Sequence, residues 1–259
     1  MSGGTGGSLF LSIDLELDIS SPSFGQVERL DEVRSWLVEE TRDLGLPATW
    51  GVADPRLSAA TESILSAGVG HEVAVLGDQS WLGPGAGRLR LDRELARRFD
   101  AARRAGIAVS TLALKNVPQT PDLALLLRHG ITALRGPAVD TAGAARKLGS
   151  PPTRFGIWQT PAPWRITPQH PWWSLAGWQL DRQLRRCGRE KSLLHLELDA
   201  QSLVPVGPDA FDNIRAIFRR VARERQAGRV EILTIRQFAA AELTERWSHP
   251  SRSVLRPAA

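Results

Sequence analysis

Short apolar runs alternate along the chain with segments whose apolar residues recur at helical spacing. The runs that predict strands occupy 9–16, 48–52, 71–76, 108–114, 131–135, 193–199 and 230–234. After the first run, apolar residues from Leu30 to Leu44 fall on one helical face, and Gly45 ends that helix. Further helices are predicted over 59–67, 91–105, 121–129 and around 211–221. This repeated alternation predicts an α/β fold with a parallel sheet, and the number of units favours a barrel over an open sheet.

Composition narrows the class of protein. The 259 residues are 42% hydrophobic and 24% charged, which fits one globular domain and excludes disordered and fibrous classes. No apolar run approaches the ~18 residues of a membrane span, and residues 1–8 lack the pattern of a secretion signal. We expect a cytoplasmic protein with no membrane partner, a flexible leader at 1–8, one domain at 9–247 and a tail at 248–259. The single cysteine, Cys187, excludes an internal disulfide.

The distribution of charge along the chain indicates whether the protein binds nucleic acid. The formal net charge is +5, and arginines cluster at 88–104 and 215–229. Both clusters interleave with acidic residues on amphipathic segments, which is more typical of solvated helix faces than of a phosphate-binding surface. We therefore expect no nucleic-acid partner. The sequence leaves the oligomeric state open.

Polar side chains stand at the ends of three predicted strands. In the first, Asp14, Glu16 and Asp18 share one face because side chains alternate with period two. The third ends at Asp78, and the sixth places His195, Glu197 and Asp199 on one face with leucines opposite. Carboxylates gathered at such strand ends hold a metal or divide into acid and base roles; alternatively, they cap helices and pair with arginines.

The order of several segments resembles the polysaccharide deacetylase (NodB-homology) family of carbohydrate esterases. The segments are LSIDLE at 11–16, LPATWG at 46–51, AGVGHEV at 67–73, RHGITALRGP at 128–137, the run from 193 to 203, and GRVEILTIRQF at 228–238. Together they span nearly the whole chain. The resemblance implies a distorted (β/α) barrel of about seven strands. In intact members it implies a zinc ion, held by one carboxylate and two histidines, that activates water to hydrolyse an N-acetyl group.

Transferred by position, the resemblance gives this chain an incomplete site. Asp14 matches the catalytic base, and Arg135 matches the arginine that holds that carboxylate. The histidine motif should begin near Leu76 and end near Ser80, but neither residue is histidine. Leucine offers zinc no ligand atom. Glu16 and Asp78 are the candidate replacement ligands, and carboxylates would favour magnesium or manganese over zinc.

The last motif and the tryptophan-rich stretch before it can each be interpreted in two ways. In the last motif, either Asp199 replaces the family's catalytic histidine or, in a shifted register, His195 retains it. The candidate catalytic residues are therefore Asp14, Arg135, His195 and Asp199. A long irregular stretch at 154–178 is rich in tryptophan and proline. Its indoles could stack on sugar rings or fill the core. The candidate sugar-contact residues are Trp158, Trp164 and Trp172 of this stretch, together with Trp81 earlier in the chain.

Three functions follow as hypotheses. The first is a deacetylase-like protein that has lost the zinc-binding histidines, needs no cofactor, and binds a carbohydrate or N-acetyl sugar as a non-catalytic or altered member. The second is an active deacetylase that acts on N-acetyl sugars with one divalent ion (zinc, manganese or magnesium) at a carboxylate-rich site. The third is a scaffold in a polysaccharide-biosynthesis assembly, with the arginine-rich helices as partner surfaces.

Overall fold

A curled, mainly parallel sheet forms the centre of the protein, as seen in a computed structural model that describes residues 6–16, 24–83, 85–117, 121–136, 146–147, 156–160, 163–168, 174–206 and 208–248. The strands are β1 Gly7–Asp14, β2 Thr49–Val52, β3 Glu72–Gly77, β4 Thr111–Leu114, β5 Ala133–Arg135, β6 Arg146–Lys147, β7 Trp158–Thr160, β8 Trp164–Arg165, β9 Ser192–Asp199 and β10 Val230–Ile232. The helices are α1 Phe24–Asp43, α2 Ala60–Ser66, α3 Gln79–Leu82, α4 Arg88–Leu95, α5 Ala101–Arg104, α6 Leu123–Arg128, α7 Leu175–Glu190, α8 Pro208–Gln226 and α9 Ile235–Ser248.

The sheet follows the order β6-β9-β1-β2-β3-β4-β5-β7, while β10 pairs with β1 and β8 with β9. Every pair is parallel except β6 with β9. The predicted α/β fold with a parallel, barrel-like sheet is therefore confirmed. Within the described residues the sheet path has eight strands, one more than the roughly seven that were predicted. The unforeseen strands β6, β7 and β8 have two or three residues each, too few to show alternation.

The two long central strands divide their side chains between an outer and an inner face. In β1, Leu9, Leu11 and Ile13 face outward and join the main core beneath the helices. The inner face begins with a floor, an apolar cluster that contains Phe10, Ala133, Trp158 and Leu193 together with Ile235 and Ala239 of α9. The half-barrel is thus closed at its lower end by α9.

No helix in the described ranges combines the length and the apolar character needed to cross a membrane.

A buried carboxylate attaches α9 to the lower end of the sheet. Glu72 is completely buried and accepts hydrogen bonds from the Thr49 hydroxyl at 2.9 Å, from the Thr111 hydroxyl, and from the backbone N–H of Arg236 at 2.9 Å. Thr49 in turn accepts from the N–H of Ile235 at 3.1 Å. Burial raises the pKa of Glu72, an effect these donors oppose. The first turn of α9 is therefore held by side chains of β2, β3 and β4.

We expect Glu72→Ala to destabilise the protein by about 2–4 kcal/mol, because it leaves three buried donors without their acceptor and opens a cavity. Urea unfolding followed by circular dichroism measures the change. Glu231→Ala, at an exposed position of β10, is the matched control and should shift stability by less than ~0.5 kcal/mol. Equal stability of the two variants would contradict the role given to Glu72.

Candidate functional site

Charged side chains gather at the upper edge of the half-barrel, which we call the mouth. It is formed by the carboxyl ends of β1, β4, β5, β8 and β9, which meet there because these strands are parallel. Each contributes a charged group. The anions are Asp14, Glu197 and Asp199, and the cations are Lys115, Arg135 and Arg165.

The central contact joins Asp14 to Arg135. The two guanidinium nitrogens Nη1 and Nη2 of Arg135 donate to the two carboxylate oxygens at 2.7 and 2.6 Å, and both residues are 1% exposed. Strands β2, β3 and β4 separate β1 from β5, so the arginine side chain reaches across the inside of the sheet. Burial disfavours the charge of Arg135, but Asp14 and Glu197 outweigh it and raise its pKa. A Cβ on Gly51 would lie 2.6 Å from Asp14 Oδ1, so the close approach of β2 requires glycine there.

Glu197 lies one step below this pair, opposite Ser12 in the register of β1 and β9. Its Oε2 is 3.6 Å from Arg135 Nη2, and its Oε1 is 3.6 Å from Arg165 Nη2. Both distances are too long for hydrogen bonds, and the buried Oε2 atom has no hydrogen-bond partner within the described part of the chain. Burial raises the pKa of Glu197 to about 7; the charge of Asp14 adds to this effect, and Arg135 opposes it. Glu197 therefore titrates near neutral pH.

Asp199 and Lys115 form the second ion pair of the mouth. The Lys115 ammonium is 3.1 Å from Asp199 Oδ2 and donates to the backbone carbonyl of Glu16 at 3.2 Å. Its side chain is only 8% exposed. Burial raises the pKa of Asp199, an effect that Lys115 opposes. Asp199 also accepts from the N–H of Gln201 at 3.1 Å, so it caps the 3₁₀ turn that follows β9.

The mouth brings together three of the four predicted catalytic residues, Asp14, Arg135 and Asp199. The fourth, His195, pairs in register with Phe10 at the level of the floor. It is fully buried, forms a hydrogen bond of 2.8 Å with the Ser12 hydroxyl, and meets the Phe10 ring edge-on. In this register Asp199, rather than His195, reaches the mouth beside Asp14. Asp18 lies outside the described residues.

The two predicted metal ligands make other contacts. Glu16 accepts from the N–H of Ala53 at 2.8 Å, and Asp78 accepts from the N–H of Ser80 at 2.7 Å as the N-cap of α3. At the family's two histidine positions, Leu76 is buried and Ser80 is exposed. Within the described ranges, no group of three His, Cys, Asp or Glu side chains is placed to hold a metal ion. A catalytic zinc needs three protein ligands, and Lys115 already pairs with Asp199, so the described residues of the mouth do not fit one.

Three of the four candidate sugar-contact residues are buried. Trp81, Trp158 and Trp164 are 1%, 4% and 9% exposed. The Arg98 guanidinium lies 5.0 Å from the centre of the Trp81 ring, and Trp158 packs edge-on against Phe238. Trp172 lies outside the described residues. Stacking of these indoles on a sugar stays a prediction.

Sequence reasoning did not select Glu197, Lys115 or Arg165 as site residues. Glu197 had a readable signal, because it shares the inner face of its strand with His195 and Asp199. Lys115 had a weaker one: it is one of three lysines in a chain rich in arginine, and it directly follows a buried strand. Arg165 lies in a strand of two residues and has no local signal.

Three solved structures share this fold. One, from Mycobacterium smegmatis and assigned as a polysaccharide deacetylase, aligns with a TM-score of 0.64 at 15% identity and covers 100% of this chain and 97% of its own. Puue allantoinase aligns with a TM-score of 0.61 at 12% identity, covering 96% and 93%. The 4-alpha-glucanotransferase of Thermococcus litoralis aligns with a TM-score of 0.58 at 13% identity, covering 90% of this chain and 40% of its own.

No protein-family model and no curated protein sequence matches the chain. At 12–15% identity, the structural alignments show the fold alone. The protein has a polysaccharide deacetylase-like, NodB-type α/β half-barrel, and the fold that its sequence motifs predicted is confirmed.

We expect Glu197 to make stability depend on pH. Its folded-state pKa of about 7 lies above the ordinary value of 4.5, so its stabilising contribution is complete below about pH 4.5 and is lost as the pH rises through about 7. The loss amounts to about 3 kcal/mol. Urea unfolding of wild type and Glu197→Gln at about pH 4 and about pH 8 should give a smaller pH effect in the variant. An unchanged pH effect would contradict this assignment; Glu62→Gln, on an exposed face of α2, is the control.

Proposed function

We propose that this protein is a non-catalytic or altered relative of the polysaccharide deacetylases that binds a carbohydrate at the mouth of the half-barrel. One observation carries the proposal: Asp199, which the resemblance matches to the family's catalytic histidine, is already paired with the cation Lys115. A divalent ion bound by Asp199 would have to displace Lys115 from a largely buried ion pair. Breaking a buried pair costs about 3–5 kcal/mol, which opposes metal binding.

The polar groups of the mouth suit a neutral polyhydroxylated ligand. Among the described residues, Glu197 Oε2 and Arg165 Nε are buried atoms without hydrogen-bond partners, and buried polar atoms in that condition are rare. One is an acceptor and the other a donor. A sugar hydroxyl donates one hydrogen bond and accepts others, so it can satisfy both kinds of group without adding charge to a balanced cluster.

Sugar binding should depend on Glu197 and Arg165. Isothermal titration with short N-acetylglucosamine oligomers should show binding that Arg165→Gln and Glu197→Gln each weaken by about tenfold, the effect of losing one or two hydrogen bonds to a charged group. The Arg165 side chain is 38% exposed, so its replacement should leave the fold intact. Arg42→Gln, on the exposed end of α1, should bind like wild type. Equal affinity in all four proteins, or no binding by wild type, would overturn the mouth as a sugar site.

A second candidate function is an active hydrolase that acts on N-acetyl sugars. The observation in its favour is Glu197, whose pKa of about 7 beside the Arg135-bound carboxylate of Asp14 gives two carboxyl groups in different environments. Such a pair suits acid and base roles in hydrolysis. Catalysis with a divalent ion at this carboxylate-rich site would in addition require Lys115 to leave Asp199.

Metal titration and product release separate the two candidates. A bound ion raises the melting temperature by mass action, with about 2.7 kcal/mol of stabilisation at a hundred times its Kd. We expect no rise with zinc, manganese or magnesium at about millimolar concentration, and no acetate release from N-acetylated oligomers. A saturable rise that Asp199→Asn abolishes, together with acetate release that Asp14→Asn abolishes, would establish the hydrolase instead.

A further inference from the structure

A groove runs along the outer wall of the half-barrel between α7 and α8. The two helices lie side by side and point the same way, because each precedes a strand parallel to β1. Asp181 of α7 bridges them through an ion pair of 2.6 Å with Arg220 of α8. The groove contains a cavity of about 540 Å³ that continues into a second of about 500 Å³, and Arg185 and Arg220 line both.

The walls of this groove carry more positive than negative charge. Its lining contains six arginines, which are Arg185, Arg189, Arg219, Arg220, Arg223 and Arg229. In the part of the lining that the structure describes, the acids are Asp181 and Glu224, and each is already held by two of these arginines. Arg219 and Arg223 are exposed, and neither has a carboxylate within ion-pair distance among the described residues. The groove therefore offers unneutralised guanidinium groups to an anionic partner.

The arginines form two parallel rows. Arg185 and Arg189 are four residues apart on α7, and Arg219 and Arg223 are four residues apart on α8. Residues four apart lie on the same helix face, about 6 Å apart along the axis. Between the rows, Leu180 and Ile217 form an apolar base, and Trp178 stands at one end with 58% of its surface exposed. An exposed tryptophan beside arginines is typical of interaction surfaces.

The groove matches one class of occupant better than the others. A single-stranded nucleic acid stacks successive bases on several aromatic residues, and Trp178 is the one aromatic residue in the described lining. An extended peptide that binds by adding a strand needs a sheet edge, whereas both walls here are helices. A helix forms its own backbone hydrogen bonds, so it needs no sheet edge. On an amphipathic helix, acidic side chains at i and i+4 repeat about every 6 Å, like the arginines of each row, and the apolar stripe of the helix can lie on the apolar base of the groove.

We propose that the groove between α7 and α8 binds an acidic amphipathic helix of a partner protein. The apolar stripe of that helix packs on Leu180, Ile217 and Trp178, and its flanking carboxylates pair with the two arginine rows. From Gly177 to Arg189, the groove accommodates about three turns of helix, or roughly 12 residues. This surface lies on the outer wall, so the proposal is independent of what the mouth binds.

A designed peptide tests the proposal. The probe is a fluorescent helical peptide of about 14 residues, with leucines at i, i+3, i+4 and i+7 and glutamates on both flanks. Its control has the same composition with the stripe permuted. Fluorescence anisotropy with the full chain should show salt-dependent binding of the first peptide and at least ~10-fold weaker binding of the second. Oligo-dT and polygalacturonate serve as competing polyanions.

Variants locate the binding surface. Arg219→Glu with Arg223→Glu should weaken binding by at least ~10-fold, and Trp178→Ala by several-fold, because all three side chains are exposed and dispensable for the fold. The matched charge reversal Arg90→Glu with Arg93→Glu, on exposed positions of α4, should bind within about twofold of wild type. The proposal is overturned by any of three results: no binding of the amphipathic probe, equal binding of the permuted peptide, or tighter binding of oligo-dT or polygalacturonate at the same groove.

Discussion

The ion pair between Asp14 and Arg135 is the interaction on which the mouth depends. It joins two strands that lie four positions apart in the sheet, and it is almost completely shielded from water. A buried charge without its partner is costly, so each residue requires the other. The pair also explains Gly51, since any side chain at that position would collide with the Asp14 carboxylate. The curl of the sheet and the chemistry of its upper edge are thus coupled through one contact.

The inner face of the half-barrel changes character within a few residues. Along β1 it passes from Phe10 through Ser12 to Asp14, and along β9 from His195 through Glu197 to Asp199. The lower level is closed by α9, and the upper level carries the ion pairs of Asp14 with Arg135 and of Asp199 with Lys115. Glu197 lies between the two levels, where burial is nearly complete and the described cations Arg135 and Arg165 are 3.6 Å away, beyond hydrogen-bond distance. That intermediate position is the physical reason for its raised pKa.

Sequence reasoning succeeded where the information is local. The alternation in β1 and β9 predicts which side chains share the inner face, and parallel strands predict that Asp14 and Asp199 meet. The partners of these acids were harder to predict. Lys115 reaches Asp199 only because the sheet curls β4 toward β9. Strand β4 has four residues, and no sequence pattern in them specifies that contact. Strands β6, β7 and β8 were missed because pairing with neighbouring strands, rather than their own periodicity, defines them.

The register of β9 against β1 shows which of His195 and Asp199 lies at the mouth, a position that the sequence left open. A shift that brought His195 to the mouth would move β9 by four residues and leave its leucines facing the same way, so alternation alone permits both arrangements. The pairing of seven consecutive residues with β1 selects one of them. Asp199 adds an anion to the upper edge, and Lys115, 3.1 Å from its carboxylate, balances that charge. If the mouth binds the carbohydrate that we propose, a site balanced in this way favours ligands that bring hydrogen bonds rather than charge.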